Sequence, residues 1–243
     1  MSDVGTARLA AEAAARVLLR LRSDGGLTGR ALGDRGDAEA QAAIVAVLGE
    51  RCPDDVVFSE EAVDDRRRLS ADRVWIVDPL DGTREYGEGR SDWAVHVALW
   101  AAGSLTAAAV ALPGADAVLT TDPPPAVPPA GDGPPRIAVS RTRPPAQADL
   151  VARALGGELV PLGSAGYKVS AVVRGEVDAY VHAGGMYQWD SAAPVAVAQA
   201  AGLVAVRLDG SPLRYNEPDP SLPDLLVCRP ELEETILTAI AAG

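Results

Sequence analysis

A proline-rich segment divides this chain into two parts that must fold on either side of it. Residues 123–135 contain seven prolines together with Gly131 and Gly133, a composition that neither a helix interior nor a central strand tolerates. We expect the tip of a long surface hairpin that runs into a connection between two lobes. The predicted lobes are an N-terminal α+β lobe at residues 1–130 and a C-terminal α/β lobe at residues 131–243.

The part before the prolines predicts helices followed by short strands. Apolar residues recur at helical spacing over residues 9–22, and a second helix is predicted at residues 37–48, after a Gly-rich loop. Short apolar runs and alternating patterns predict the strands. These are residues 56–58, 74–77, 93–100 and 105–112. The last two strands, joined through Gly103-Ser104, predict an antiparallel hairpin.

Strands and helices alternate in the part after the prolines. The predicted strands are residues 137–139, a short one near Leu159, and residues 177–181, 203–206 and 224–228. The predicted helices are residues 146–155, 167–173, 191–201 and 231–241. This alternation is typical of a sheet with helices packed on its faces, so the sequence predicts a layered α/β protein.

Composition excludes several classes of protein. With 48% apolar residues in a chain of 243, a full core is available, so the chain is not disordered. A net charge of −12 argues against nucleic acid as a partner. We predict neither a signal peptide nor a membrane span. Two isolated cysteines, Cys52 and Cys228, fit a reducing cytoplasm better than a disulfide framework.

The most informative run is V-W-I-V-D-P-L-D-G-T, residues 74–83, in which an apolar strand leads into two carboxylates three positions apart. Pro79 biases Asp78 toward an extended backbone, and Gly82 permits a sharp turn. Both carboxylates and the Leu80 carbonyl could then face one place, which suits a hard divalent cation such as Mg²⁺. The alternative is that the two aspartates only cap a turn.

Two further acidic positions follow the same pattern. Glu60-Glu61 comes directly after the strand at residues 56–58, and Asp190 lies at the predicted start of a helix. A helix N-cap is the ordinary interpretation of a lone Asp190. If the carboxylates at these three positions lie close together in an acidic protein, their negative charge needs to be neutralised. Metal ions would provide the positive charge.

Taken in order, E-E, D-P-L-D-G-T and W-D-S-A-A resemble the motifs of the inositol monophosphatase superfamily. Within it, T-R-E-Y at residues 83–86 is similar to the CysQ-type 3′(2′),5′-bisphosphate nucleotidases of the actinobacterial branch. The resemblance implies a five-layer αβαβα fold, with a mixed or antiparallel sheet in the first lobe and a smaller sheet in the second. It also implies a lithium-sensitive phosphomonoesterase that uses two to three Mg²⁺ ions.

The resemblance further implies roles for individual residues. The implied metal ligands are Glu60, Asp78, the Leu80 carbonyl, Asp81 and Asp190. Thr83 would orient the attacking water, and Asp37 would lie on the mobile loop that completes a third metal site, although Asp34 and Gly36 depart from the family pattern there. Glu60, Asp81, Thr83 and Asp37 are therefore the predicted catalytic residues.

Substrate selection is expected from the second lobe. Leu80, Asp81, Gly82, Thr83 and Asp190 would face the reacting phosphate. The resemblance adds further contacts to the nucleotide or its second phosphate. These are Ser140, Arg141, Ser164, Lys168 and His182. For His182 a structural role is the alternative, and His96, in mid-strand, is interpreted as structural.

The expected function is Mg²⁺-dependent hydrolysis of 3′-phosphoadenosine 5′-phosphate to AMP in sulfur assimilation, with its sulfate, 3′-phosphoadenosine 5′-phosphosulfate, as a further candidate substrate. The alternatives are a broader inositol monophosphatase or fructose 1,6-bisphosphatase, and a non-catalytic sensor of phosphorylated ligands. The expected partner is a small phosphorylated nucleotide, with no nucleic acid and no membrane. Both monomers and homodimers are compatible with the resemblance.

Overall fold

The computed structural model describes residues 2–243 and contains two five-stranded sheets. Strands of the first sheet end at Thr120, and strands of the second begin at Arg136. The proline-rich segment therefore connects the two sheets, and the division of the chain into two lobes stays a prediction. The prediction that it is also a hairpin tip was wrong, because the strands on its two sides belong to different sheets and do not pair.

The first sheet is mixed, as expected. Its strands, in spatial order, are β1 (Val56–Ser59), β2 (Arg73–Asp81), β3 (Ala94–Ala101), β4 (Ser104–Leu112) and β5 (Ala117–Thr120). β1 runs parallel to β2, and the other neighbours are antiparallel. The strand β5, a four-residue edge strand that follows a short 3₁₀ turn, was not predicted.

The second sheet also has five strands. Its strands are β6 (Arg136–Ser140), β7 (Glu158–Leu162), β8 (Ala179–Tyr187), β9 (Val204–Val206) and β10 (Ser221–Cys228), in the spatial order β7-β6-β8-β10-β9. The sheet reaches five strands because every segment predicted as a strand after the prolines pairs into it.

Seven helices within residues 2–243 complete the five predicted layers. They are α1 (Asp3–Ser23), α2 (Gly29–Arg51), α3 (Thr83–Gly87), α4 (Ala146–Leu155), α5 (Ala165–Val173), α6 (Gln188–Ala200) and α7 (Glu233–Ala241). α1 and α2 cover one face of the first sheet, α5 and α6 lie between the two sheets, and α4 packs with α7 on the outer face of the second. One apolar cluster spans both sheets and the middle helices, which holds the two halves of the chain together.

Helix α2 begins eight residues earlier than predicted, so Asp37 lies inside a helix and not on a loop. The glycines that suggested a loop are instead points of close approach. A Cβ at Gly36 would lie 3.0 Å from side-chain atoms of both Leu18 and Tyr86, and a Cβ at Gly33 would lie 2.7 Å from Thr83 Cγ2. Glycine costs about 1 kcal/mol of helix propensity at each position, and the packing that it allows offsets this cost.

Among residues 2–243, no helix combines the length and the apolar character needed to cross a bilayer.

Candidate active site

A bulge in β2 brings two carboxylates to the same side of the first sheet. Asp78 pairs with His96 on β3 and Asp81 pairs with Ala94, so three steps along β2 match two along β3. Side chains three positions apart on a regular strand point to opposite faces, and one extra residue corrects this. The turn is held locally, because Asp78 Oδ1 accepts a hydrogen bond of 3.0 Å from the Leu80 N–H. As a result, His96 lies next to both aspartates.

Two other elements end at the same place. Glu60 follows the last residue of β1, which runs parallel to β2, and Asp190 is the third residue of α6. Carboxylate oxygens of Glu60, Asp78 and Asp190 all lie within 4.8 Å of one another. Asp190 also accepts a hydrogen bond of 2.7 Å from the Tyr187 N–H at the start of α6. It therefore caps the helix with one oxygen while it takes part in the cluster.

The three carboxylates repel one another. Burial raises the pKa of Glu60 to about 7, and the charges of Asp190, Asp37 and Asp81 add to the rise. Burial likewise raises the pKa of Asp190 to about 6, with the charge of Asp81 next in importance. Asp78 is fully buried, and its burial and the charges of Asp81 and Glu60 hold its pKa well above the ordinary value. Such a cluster is stable in its charged form only beside a cation.

Asp81 lies at the edge of this cluster and has a different environment. Its two oxygens accept hydrogen bonds from the Ala165 and Gly166 N–H groups at the start of α5. Its Oδ2 also lies 3.3 Å from His96 Nε2. Burial opposes ionisation of Asp81, but the imidazole of His96 and the Gly166 N–H outweigh it, so the pKa of Asp81 is lowered. Asp81 is therefore the carboxylate most firmly held as an anion.

The hydroxyl of Thr83 lies between two oxygens. Thr83 Oγ1 donates to the Leu80 carbonyl at 3.1 Å and lies 3.4 Å from Asp37 Oδ1. Burial, with the charge of Glu61 next, raises the pKa of Asp37 to about 7, and the Thr83 hydroxyl opposes the rise. Asp37 reaches Thr83 from α2 because of the close approach at Gly33. The two residues thus form a hydroxyl–carboxyl pair beside the acidic cluster.

The residues fit a hard divalent cation. Glu60, Asp78 and Asp190 each offer a carboxylate oxygen, which is the ligand type that Mg²⁺ and Ca²⁺ prefer. Two of the three come from the first sheet and one comes from α6, so the cluster forms where the two halves of the chain meet. The roles of Asp81 and the Leu80 carbonyl as ligands stay predictions.

The sequence matches the model of the inositol monophosphatase family over residues 3–122 and 135–242. The chain belongs to this family. It is 51% identical over 242 residues to a Mycobacterium tuberculosis protein named 3′-phosphoadenosine 5′-phosphate phosphatase, covering 94% of this chain and 89% of the relative. A Mycobacterium leprae protein of the same name is 48% identical, covering 99% and 94%. The solved structure of CysQ from Bacteroides thetaiotaomicron has the same fold, with a TM-score of 0.81 at 24% identity and coverage of 93% and 97%.

Arg141, which is predicted to contact substrate, forms ion pairs with two glutamates of this chain. Its guanidinium donates to Glu85 at 2.8 Å and to Glu88 at 2.6 Å. These ion pairs join the turn after β6 to α3 and its C-cap, and α3 begins at the last residue of the D-P-L-D-G-T motif. Ser140, next to it in sequence, accepts a hydrogen bond of 3.2 Å from the Arg143 N–H. The roles of Ser140 and Arg141 in substrate binding stay predictions.

Lys168 is almost fully buried, with 4% of its surface exposed. Its ammonium donates to the Gly163 and Ser164 carbonyls, and burial lowers its pKa to about 8 although the charge of Asp81 acts in the opposite direction. Ser164 caps α5 through the Tyr167 N–H. His182 Nε2 lies 2.9 Å from the Gly185 carbonyl oxygen. In this structure these groups support the loop before α5 and the end of β8, and their contacts to substrate stay predictions.

Two residues beside the cluster, His96 and Tyr187, were not predicted as part of the site. His96 is fully buried and lies 3.1 Å from the Trp189 carbonyl through Nδ1, so it joins Asp81 to the start of α6. The position of His96 opposite Asp78 depends on the register of β2 and β3, which cannot be deduced from a single sequence. Tyr187 is 49% exposed beside Asp190. The signal for it was available, because it lies two residues before the W-D pair.

Proposed function

We propose that this protein is a Mg²⁺-dependent phosphomonoesterase that hydrolyses 3′-phosphoadenosine 5′-phosphate to AMP and phosphate. The observation that carries the proposal is the convergence of Glu60, Asp78 and Asp190 beside the Thr83 hydroxyl. The substrate is proposed from the names of the mycobacterial relatives, which share about half of their residues with this chain. We also propose a role in sulfur assimilation, which that substrate supports, and a cytoplasmic location, which the two free cysteines support.

In the proposed reaction a water oxygen bonds to the 3′-phosphorus while the bond from phosphorus to the ribose 3′-oxygen breaks. The leaving oxygen takes up a proton, and inorganic phosphate is released. When bound, Mg²⁺ ions supply positive charge to the phosphate and lower the pKa of a water. Glu60, Asp78 and Asp190 would hold the ions, with Asp81 and the Leu80 carbonyl as further ligands.

Thr83 and Asp37 would accept the proton that the attacking water loses. The Thr83 hydroxyl donates one hydrogen bond and can accept another from water. Rotation of the Thr83 O–H from the Leu80 carbonyl toward Asp37 Oδ1, which is 3.4 Å away, would make this carboxylate its acceptor, and a proton could then pass from water through the hydroxyl to Asp37. Because the pKa of Asp37 is raised to about 7, it would release the proton again near neutral pH, as a general base must.

Phosphate release from three substrates in the presence of Mg²⁺ tests the proposal. We expect the highest kcat/KM for 3′-phosphoadenosine 5′-phosphate, with lower values for inositol monophosphate and fructose 1,6-bisphosphate. The reverse order would support the broader sugar or inositol phosphatase, and no turnover of any of the three would support a sensor. Millimolar lithium should inhibit where equal sodium does not.

A pair of Thr83 variants tests the mechanism separately. Thr83→Val keeps the shape and removes the hydroxyl, so kcat should fall by about 100-fold or more. Thr83→Ser keeps the hydroxyl and should retain most of the activity. Equal kcat values for the two variants would refute the proposed proton path.

A further inference from the structure

Three aromatic rings pack against one another in a row, the first pair stacked and the second pair edge to face. The Tyr187 ring lies nearly parallel to that of Trp189, with 4.7 Å between centroids and 17° between planes. The edge of Trp189 meets Phe58 at 5.2 Å, and the buried Arg68 guanidinium lies 4.0 Å from the Phe58 ring centroid. Trp189 and Phe58 therefore support Tyr187 from one side, and 49% of the surface of this residue is exposed.

The three aromatic residues lie beside the acidic cluster. Phe58 on β1 is two residues before Glu60, and Trp189 directly precedes Asp190. The backbone N–H of Tyr187 donates to the Asp190 carboxylate at 2.7 Å. An exposed aromatic surface is thus fixed next to the place where the reacting phosphate would bind. In a nucleoside 3′-phosphate, one ribose separates that phosphate from the base.

The charges of the protein give a reason why a base would be recognised by stacking. The net charge is −12, so the protein as a whole repels a polyanionic ligand, and bound cations would offset this repulsion at the acidic cluster. Two cationic side chains predicted to contact substrate are already engaged, Arg141 by two glutamates and Lys168 by two carbonyls. A nucleobase is uncharged, and its flat face binds to an aromatic ring whatever the surrounding charge.

We propose that Tyr187 is the specificity-determining residue for nucleotides, and that its outer face binds the purine base of the substrate. This proposal rests on the proposed phosphatase function for the position of the phosphate. The site would take nucleoside phosphates with purine bases in preference to those with pyrimidines, because a purine presents the larger face. It would give no advantage to a phosphomonoester without a base.

Two variants of Tyr187 test the proposal in the full-length protein with Mg²⁺. Tyr187→Leu removes the ring and keeps an apolar side chain, whereas Tyr187→Phe keeps the ring. The readout is the ratio of kcat/KM for 3′-phosphoadenosine 5′-phosphate to kcat/KM for glycerol 2-phosphate, which has no base. We expect the ratio to fall about tenfold in Tyr187→Leu, through a higher KM for the nucleotide, and to change less than twofold in Tyr187→Phe.

A merely structural role for Tyr187 would lower both activities together and leave the ratio unchanged, which would overturn the proposal. Leu69→Ala, which shortens an apolar side chain that is 39% exposed, is the control and should keep both rates.

Calorimetric titration with AMP separates this proposal from the proposed function, because it needs no turnover. If wild type binds AMP at least fivefold more tightly than Tyr187→Leu, the base site is supported even where the phosphatase assay fails. Equal affinities, or no binding of AMP to wild type, would overturn it.

Discussion

The acidic cluster should make the metal-free protein less stable at neutral pH than at mildly acidic pH, and Asp190→Asn tests this directly. The pKa of Asp190 rises from an ordinary 3.8 to about 6 in the fold. Because the folded-state pKa is higher, ionisation opposes folding. The stability associated with this group is fully present below about pH 4 and is lost as the pH rises to about 6. Asparagine carries no such penalty and can still accept the hydrogen bond from the Tyr187 N–H.

The size of the effect follows from the pKa. A rise from 3.8 to about 6 corresponds to about 3 kcal/mol above pH 7 and about half of that at pH 5. Solvent around the partly exposed Asp190 screens its repulsion from the other carboxylates and reduces this value. Loss of a favourable negative charge in the first turn of α6 reduces the expected stabilisation by about a further 0.5 kcal/mol. We therefore expect the free energy of unfolding of Asp190→Asn to be about 2 kcal/mol higher than that of wild type at pH 7.5 in chelator. In a chain of this size that is a Tm about 4–8 °C higher.

Thermal unfolding at pH 5.0 and 7.5, with chelator or with Mg²⁺, provides the assay. The advantage of Asp190→Asn should shrink by about half at pH 5.0. Mg²⁺ should raise the Tm of wild type by more than that of the variant, because an ion that binds only the folded state stabilises it. Asp72→Asn, at an exposed carboxylate, controls for loss of one negative charge. Identical Tm values for wild type and Asp190→Asn in chelator at pH 7.5 would refute the reasoning.

Three further substitutions probe the supports of the site. Gly33→Ala should lower kcat at least tenfold with little change in Tm, since its Cβ would lie 2.7 Å from Thr83 Cγ2; an unchanged kcat in the phosphate-release assay would contradict this. Arg68→Met should cost about 3 kcal/mol in urea unfolding, because it leaves buried hydrogen-bond acceptors without their donor; a loss under 1 kcal/mol would argue against that role. Gly166→Ala, whose Cβ would overlap His96 Nε2, should weaken the apparent affinity for Mg²⁺ in activity titrations, and wild-type affinity would count against it.

The fold could be predicted well wherever pattern and spacing carry the information. The helical spacing of apolar residues predicted α1, and the alternating pattern of residues 93–112 predicted the β3–β4 hairpin. The start of α2 could not be predicted, because Gly33 and Gly36 are helix breakers in isolation and only the neighbouring Thr83 and Leu18 explain them. The four-residue β5 is stabilised by its pairing with β4, which is a tertiary effect.

The candidate site shows the same division. Motifs at the ends of β1, β2 and α6 predicted the three acidic side chains that the structure brings together. The contact of His96 with Asp81 and with the Trp189 carbonyl depends on the β2 bulge and on the packing of α6 against β3. A single sequence records neither. The exposed stack on Trp189 depends on which face of each ring is covered, and that too is decided only in the folded chain.

The division of the acidic cluster between the first sheet and helix α6 bears on how the protein matures during synthesis. Glu60 and Asp78 leave the ribosome more than a hundred residues before Asp190, and the inner face of the first sheet stays uncovered until α5 and α6 have been made. A nascent chain would be unable to assemble the three-carboxylate cluster for most of its translation. Magnesium would then bind only after the two halves of the chain have packed together, and it would stabilise the contact between them.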